Sequence, residues 1–204
     1  YTKDNFDLAG FCIGASEREK VFSKKNVKEN NSVIAIESSG LHSNGYSLIR
    51  NLIKIKSIDI NDQAPFDKTK SLLEILLEPT IIYSELFEKI RSKVKINSIT
   101  HVTGGGLVEN PPRSFSKDLS LILNMKSYKM SNIFHWIQKE TKLNWHEIFK
   151  TFNCGVGLLL YIDKNEEDIV TTEINKIGYN AWTIGEIVKN KNGKSVNFVG
   201  MKNS

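Results

Sequence analysis

The sequence has only two cysteines, four prolines and four arginines, and each scarcity excludes a class of protein. Cys12 and Cys154 lie far apart, each among apolar and glycine neighbours. Nothing approaches the close thiolate and imidazole spacing of a zinc site, so no metal site is expected. Both cysteines read as buried, reduced thiols of a cytoplasmic protein. The four arginines stand against 24 lysines, which are scattered and interrupted by acids, as in Lys164-Asn165-Glu166-Glu167-Asp168. Nucleic-acid surfaces cluster arginine and stacking aromatics on one face, so the net charge of +5 reads as a solvated surface with no nucleic-acid partner. Long apolar runs are missing too. The longest, over residues 156–162, is far short of the ~20 residues that span a bilayer, so no membrane partner is expected. The opening Tyr1-Thr2-Lys3-Asp4 has neither an apolar signal core nor an initiator Met and reads as a chain entered partway through.

What is present is ordinary for a folded domain: 40% hydrophobic and 25% charged residues in 204. A chain of this size can bury roughly 70% of its unfolded surface without disulfides. Apolar patterning predicts strands over residues 5–16, 33–36, 96–102, 119–123, 157–162, 181–188 and 195–199. Helices are expected over about 46–56 and 72–77, and after Pro79-Thr80 with Ile82, Leu86 and Ile90 on the inner face. A short helix should stop at Pro111-Pro112. Ser131 and Asn144 look like N-caps, and Asn165 should cap a helix burying Val170, Ile174 and Ile177. Residues 20–31 and 61–70 read as polar connections. Strands and helices mix without strict alternation, which predicts an α+β fold, a layered α/β/α domain around a mixed sheet.

Three segments carry chemistry. In Glu37-Ser38-Ser39-Gly40-Leu41-His42-Ser43-Asn44-Gly45-Tyr46 a buried strand runs into a loop of small and hydroxyl residues, and a helix starts at its far end. Free N–H groups there suit an anion, and His42 adds a group able to donate a hydrogen bond or move a proton. A plain helix entry, with Ser43 or Asn44 as cap and His42 on the surface, fits the same residues. The loop matches neither common phosphate-loop pattern. In His101-Val102-Thr103-Gly104-Gly105-Gly106-Leu107-Val108-Glu109-Asn110-Pro111-Pro112-Arg113 another strand ends in a loop. Three successive glycines cost backbone entropy, which favours close approach of a ligand's phosphate or carbonyl over a structural turn. Glu109, Asn110 and Arg113 could complete that site or form a charged helix face. In Thr151-Phe152-Asn153-Cys154-Gly155-Val156-Gly157 small residues enter a buried strand, and tight packing is the better reading. His135 and His146, beside Trp136 and Trp145, read as packed or surface histidines.

The order DLAGFCIG, SSGLHSNGYSLIR, EPTIIY, THVTGGGLVEN, FKTFNCGVGL and AWTIGEIV resembles the phosphoribosylformylglycinamidine cyclo-ligase family, also called aminoimidazole ribonucleotide synthetases, over essentially the whole chain. Two positions depart from the family pattern: Ile81, where a basic residue is usual, and Pro111, where an aliphatic residue is usual. The resemblance implies residues 1–20 as a remnant of an N-terminal ATP-binding domain, its last strand, then a linker over 21–32 and the C-terminal synthetase domain over 33–204. The family's acidic, glycine-rich ATP segment would precede Tyr1, so the chain alone is expected to be inactive. The implied reaction is ATP-dependent closure of formylglycinamidine ribonucleotide to aminoimidazole ribonucleotide in purine synthesis. ATP and Mg²⁺ are the implied cofactors, held mainly by the missing domain. A small nucleotide substrate and a homodimer are the implied partners. His42, and more weakly His101, become the catalytic candidates. Ser38, Ser39, Gly40, Ser43, Asn44, Thr103, Gly104, Gly105, Gly106, Glu109 and Asn110 become candidates for substrate or phosphate binding. A sister ATP-dependent synthetase, such as formylglycinamidine ribonucleotide synthetase, and a non-catalytic basic binding module are the alternatives.

Overall fold

The computed structural model describes residues 9–201. In chain order the elements are β1 (Ser32–Glu37), α1 (Tyr46–Lys56), β2 (Gln63–Ala64), β3 (Asp67–Ser71), α2 (Leu72–Leu76) and α3 (Ser84–Ile90). Then come β4 (Ser98–His101), α4 (Gly106–Glu109), β5 (Leu119–Asn124), α5 (Asn132–Thr141) and α6 (Trp145–Thr151). The chain closes with β6 (Val156–Ile162), α7 (Glu167–Lys176), β7 (Ala181–Lys189) and β8 (Val196–Val199).

Six strands form one sheet in the order β4-β6-β1-β7-β5-β8, and β2-β3 is a separate hairpin. All pairings in the large sheet are antiparallel except β5 with β8, so the sheet is mixed as expected. Alternate side chains of a strand face opposite sides. On β1, Val33 and Ala35 join the larger core cluster, while Ile34 and Ile36 join the smaller. On β6, Leu159 and Tyr161 face the larger cluster, and Leu158, Leu160 and Ile162 the smaller. Both faces are therefore covered, which explains why β1 and β6 read as continuous apolar runs rather than alternating ones. Helices α1, α5 and α6 close the larger cluster through Ile49, Phe134, Ile137, Ile148 and Phe149. Helices α3 and α7 close the smaller through Leu86, Ile90, Val170 and Ile174. This is the expected layered α/β/α arrangement.

The structure changes several local expectations. Residues 9–17 form no helix or strand, with Phe11 88% and Ile13 87% exposed, because no strand of the large sheet pairs with them. Residues 5–8 of the expected opening strand lie outside the described residues. Cys12 is exposed rather than buried, for the same reason, whereas Cys154 is buried as expected. The polar stretch 61–70 contains the β2-β3 hairpin, shaped by Asp67, whose carboxylate accepts from the Thr69 N–H and hydroxyl. The helix expected from Pro79 starts only at Ser84, leaving Ile82 74% exposed. Residues 79–83 are instead held by groups outside the segment: the Pro79 carbonyl accepts from Ser39, the Ile81 N–H points at His42, and the Tyr83 hydroxyl donates to the Glu37 carbonyl. Asn165 sits inside a 3₁₀ turn ahead of α7 rather than capping it.

Candidate functional site

The β1 strand delivers the first loop. Ser38 donates through Oγ to the Gly40 carbonyl at 2.9 Å, and its N–H donates to the Gly155 carbonyl at 3.0 Å. His42 and Ser43 both adopt left-handed backbone conformations, φ 50° and 62°, and Gly45 follows at 74°. This sharp winding lets the chain turn from β1 into α1 and folds the His42 ring inward, where it is only 6% exposed. A Cβ on Gly45 would lie 2.1 Å from the Phe152 ring, so only glycine fits over that aromatic.

The environment of His42 decides what it can do. Its Nε2 lies 3.0 Å from the Ser39 N–H and 3.4 Å from the Ile81 N–H. Two backbone donors aimed at one ring nitrogen make that nitrogen the acceptor, which places the proton of the neutral ring on Nδ1. The Ser39 hydroxyl, 3.0 Å from Nε2, also lies 2.6 Å from the Pro79 carbonyl and donates there. Burial, and secondarily the charge of nearby His101, pulls the His42 pKa down to about 4. At neutral pH the ring is therefore an uncharged donor through Nδ1. That nitrogen is buried with no hydrogen-bond partner, and so is Nδ2 of Asn44 in the same loop. A buried donor left unpaired costs about 1–3 kcal/mol, so two in one loop mark a place where an acceptor belongs.

The second loop lies alongside. A Cβ on Gly104 would come 3.9 Å from Asn44 Oδ1, so the two strand ends meet there. The Tyr83 ring neighbours both histidines, with centroids 6.1 Å from His42 and 6.0 Å from His101. His101 is exposed, and partial desolvation lowers its pKa. Two of the three glycines have structural reasons. Gly106, at φ 54°, packs so closely that a Cβ would lie 2.1 Å from the Phe149 carbonyl oxygen, and Gly105 sits at φ 97°. Gly104 alone has open space. Asn110 is 2% exposed and uses both ends of its amide on the loop, accepting from the Thr103 N–H at 2.6 Å and donating to the Gly104 carbonyl at 2.9 Å. Glu109 faces Lys150 at 3.6 Å across a half-exposed ion pair.

Sequence reasoning missed the residues that hold these loops in place. Asn153, fully buried, donates to the Gly40 carbonyl at 2.8 Å and accepts from the Gly155 N–H at 2.9 Å and the Ser38 hydroxyl at 3.3 Å. Phe152 lies under Gly45 through its ring and beside Gly106 through its carbonyl. The segment read as packing is thus the floor of both loops. Tyr83, on the other side, hydrogen-bonds the Glu37 carbonyl at 2.6 Å. A buried asparagine beside the glycines of that segment was the available signal for Asn153; nothing local pointed to Tyr83.

Among the described residues, no three His, Cys, Asp or Glu side chains gather to hold a metal ion, and no helix is long and apolar enough to cross a membrane.

Comparison with known proteins bears on the family and the fold. Residues 28–196 match the family model described as AIR synthase related protein, C-terminal domain. The chain is 38% identical over 187 residues to a phosphoribosylformylglycinamidine cyclo-ligase of Coxiella burnetii, covering 92% of this chain and 52% of the relative. It is 37% identical over 194 residues to the protein of that name in Thermoanaerobacter pseudethanolicus, covering 95% of this chain and 57% of the relative. The chain therefore spans about half the length of these curated relatives. Its fold is similar to that of HypE, a hydrogenase maturation protein of E. coli, with a TM-score of 0.57 at 14% identity over 89% of this chain and 50% of that one. Thiamine-monophosphate kinase from Stenotrophomonas maltophilia gives 0.57 at 14% identity over 91% and 55%.

Proposed function

Since the chain belongs to the AIR synthase related family through that family's C-terminal domain, we propose that its full-length parent closes the imidazole ring of formylglycinamidine ribonucleotide, with this chain supplying the substrate-side loops. In that reaction ATP phosphorylates the formyl oxygen and leaves as ADP. An amidine nitrogen then attacks the activated carbon, loses its proton, and expels inorganic phosphate to give aminoimidazole ribonucleotide. Catalysis asks for a held nucleophile, donors where charge gathers on oxygen, and an acceptor for the leaving proton.

The observation that carries the reading is the pair of buried, unpartnered donors, His42 Nδ1 and Asn44 Nδ2, beside the open Gly104. They suit the second demand, orienting the formyl oxygen or its phosphate. His42 does not suit the third, since its Nε2 lone pair already accepts from Ser39 and its basicity is depressed. His101, exposed beside the Tyr83 ring, is the better-placed acceptor. Ser38, Ser39, Gly40, Ser43 and Thr103 to Gly105 would form the rim against which substrate rests, with Gly106 buried behind it. Mg²⁺ has no ligand set among the described residues, so no step is assigned to it here. ATP binding, dimerisation and a cytoplasmic setting are part of the same proposal for the parent.

The test is to supply the full-length parent with formylglycinamidine ribonucleotide, ATP and Mg²⁺. Aminoimidazole ribonucleotide and ADP should appear one for one. ATP hydrolysis that requires glutamine would assign the parent to the sister synthetases instead.

A further inference from the structure

The first loop borders a cavity through Ser39. It encloses about 530 Å³, within the ~300–1,000 Å³ of small-molecule sites, and runs from Ser39 to the start of α5. Its walls are polar: Lys68 and Lys70 on β3, Glu78 just after α2, and Ser131 and Asn132 at the start of α5. Phe66 and Ile75 make the apolar part. Lys68 and Lys70 are two residues apart on one strand and so point to the same side of it. Among the described residues neither lysine forms an ion pair. Asp67, which also lines the cavity, turns its carboxylate onto the Thr69 N–H and hydroxyl. The Ser131 hydroxyl makes no capping bond.

The walls are held in place by contacts unrelated to any ligand. Phe66 packs on Trp136 of α5 at 5.3 Å between ring centroids, tying the hairpin to the helix. A capping box between Ser71 and Glu74 fixes the junction of β3 with α2. The Tyr46 hydroxyl, on α1, donates to the Leu76 carbonyl at the far end of α2.

We propose that this cavity binds the ribose 5-phosphate part of the ribonucleotide, with Lys68, Lys70 and Ser131 on the phosphate and Glu78 accepting from ribose hydroxyls. This rests on the cyclo-ligase reading for the identity of the substrate. Two unpaired ammonium groups and a free hydroxyl match a phosphate monoester dianion, and charge-assisted bonds are the stronger kind. The Glu78 carboxylate in the same lining suits sugar hydroxyls, which donate, and disfavours a second phosphate. Ser39 joins the two regions: it lines the cavity, and its N–H holds His42. The phosphate end would anchor at the hairpin while the formyl end reaches His42 and Asn44.

Calorimetric binding of ribose 5-phosphate to the 204-residue chain tests this without any catalysis. Ribose 5-phosphate should bind, ribose should not, and K68A/K70A should weaken binding about tenfold or more. Both lysines are exposed, so the melting temperature should stay within a degree or two, and Lys68→Ala alone serves if the double variant is unstable. Glu78→Gln should narrow the preference for ribose 5-phosphate over inorganic phosphate. No binding, or equal binding by wild type and K68A/K70A, overturns the proposal. Tighter binding of ATP at the same lysines overturns it in favour of a polyphosphate site. The cyclo-ligase reading fails separately, when the parent yields no aminoimidazole ribonucleotide.

Discussion

The backbone N–H of Ser39 donates to Nε2 of His42 at 3.0 Å, and this one bond fixes which ring nitrogen carries the proton. It closes a tight turn within the loop and commits the histidine to donating through Nδ1. A histidine in a loop of small residues invites a general-base reading. The partner that occupies its lone pair comes from its own loop, three residues earlier, and a second donor comes from Ile81.

His42→Ala in the full-length parent should lower turnover about 100-fold, the scale of a lost donor to a developing oxyanion. It should also lower stability by about 1–3 kcal/mol, because the part-buried Ser39 and Ile81 N–H groups lose their acceptor. Steady-state rates and thermal melts of the same variant separate the two effects. Normal turnover with reduced stability would make His42 a structural residue only.

Acid should destabilise the domain through the same ring. The His42 pKa of about 4 in the folded state is below its ordinary 6.5, so the unfolded chain takes up the proton first as pH falls. The contribution is complete above about pH 6.5 and is lost progressively down to about pH 4. It is worth at most roughly 3 kcal/mol. Urea midpoints from pH 7.5 to 4.5 should fall for wild type and fall less for His42→Asn, which suits the φ of 50° without titrating in this range. Equal slopes in both proteins would contradict the assignment.

Gly104 and Gly106 of the second loop should behave differently. Gly106→Ala brings a Cβ to 2.1 Å from the Phe149 carbonyl at φ 54° and should cost about 3 kcal/mol or more. Gly104→Ala has room, with Asn44 Oδ1 the nearest atom at 3.9 Å, and should melt near the wild type. If substrate approaches Gly104 as proposed, that variant loses activity in the parent while remaining folded. An active, stable Gly104→Ala would remove Gly104 from the site.

Asn153→Ala should damage the first loop from below. It leaves the Gly155 N–H without its acceptor and the Gly40 carbonyl with the Ser38 hydroxyl alone, around a fully buried side chain, at a cost of about 1–3 kcal/mol. Hydrogen exchange at residues 38–44 should accelerate in a partly stabilising buffer, while β1 and β6 retain protection. Uniform acceleration across the sheet would indicate global unfolding rather than loss of a loop clamp.

The sequence alone determined the elements whose signals are local. Strands β1 and β6 are runs of β-branched and aliphatic residues, α1 has its period, and Asn144 caps α6 by accepting from the Glu147 N–H. The ends of β1 and β4 carried the loops in which candidates could be named, and the motif order identified the family. Only the tertiary structure decided how those candidates are held and which of their polar atoms are left without a partner. The late start of α3 follows from Pro79, Ile81 and Tyr83 being held by Ser39, His42 and Glu37, 40 or more residues away in the case of Pro79 and Ser39. The tautomer of His42, the clamp by Asn153 and the reasons for Gly105 and Gly106 depend on which atoms meet after the sheet assembles. Local propensity is written in neighbouring residues, whereas protonation, exposure and the direction of a lone pair are set by groups brought together from distant parts of the chain.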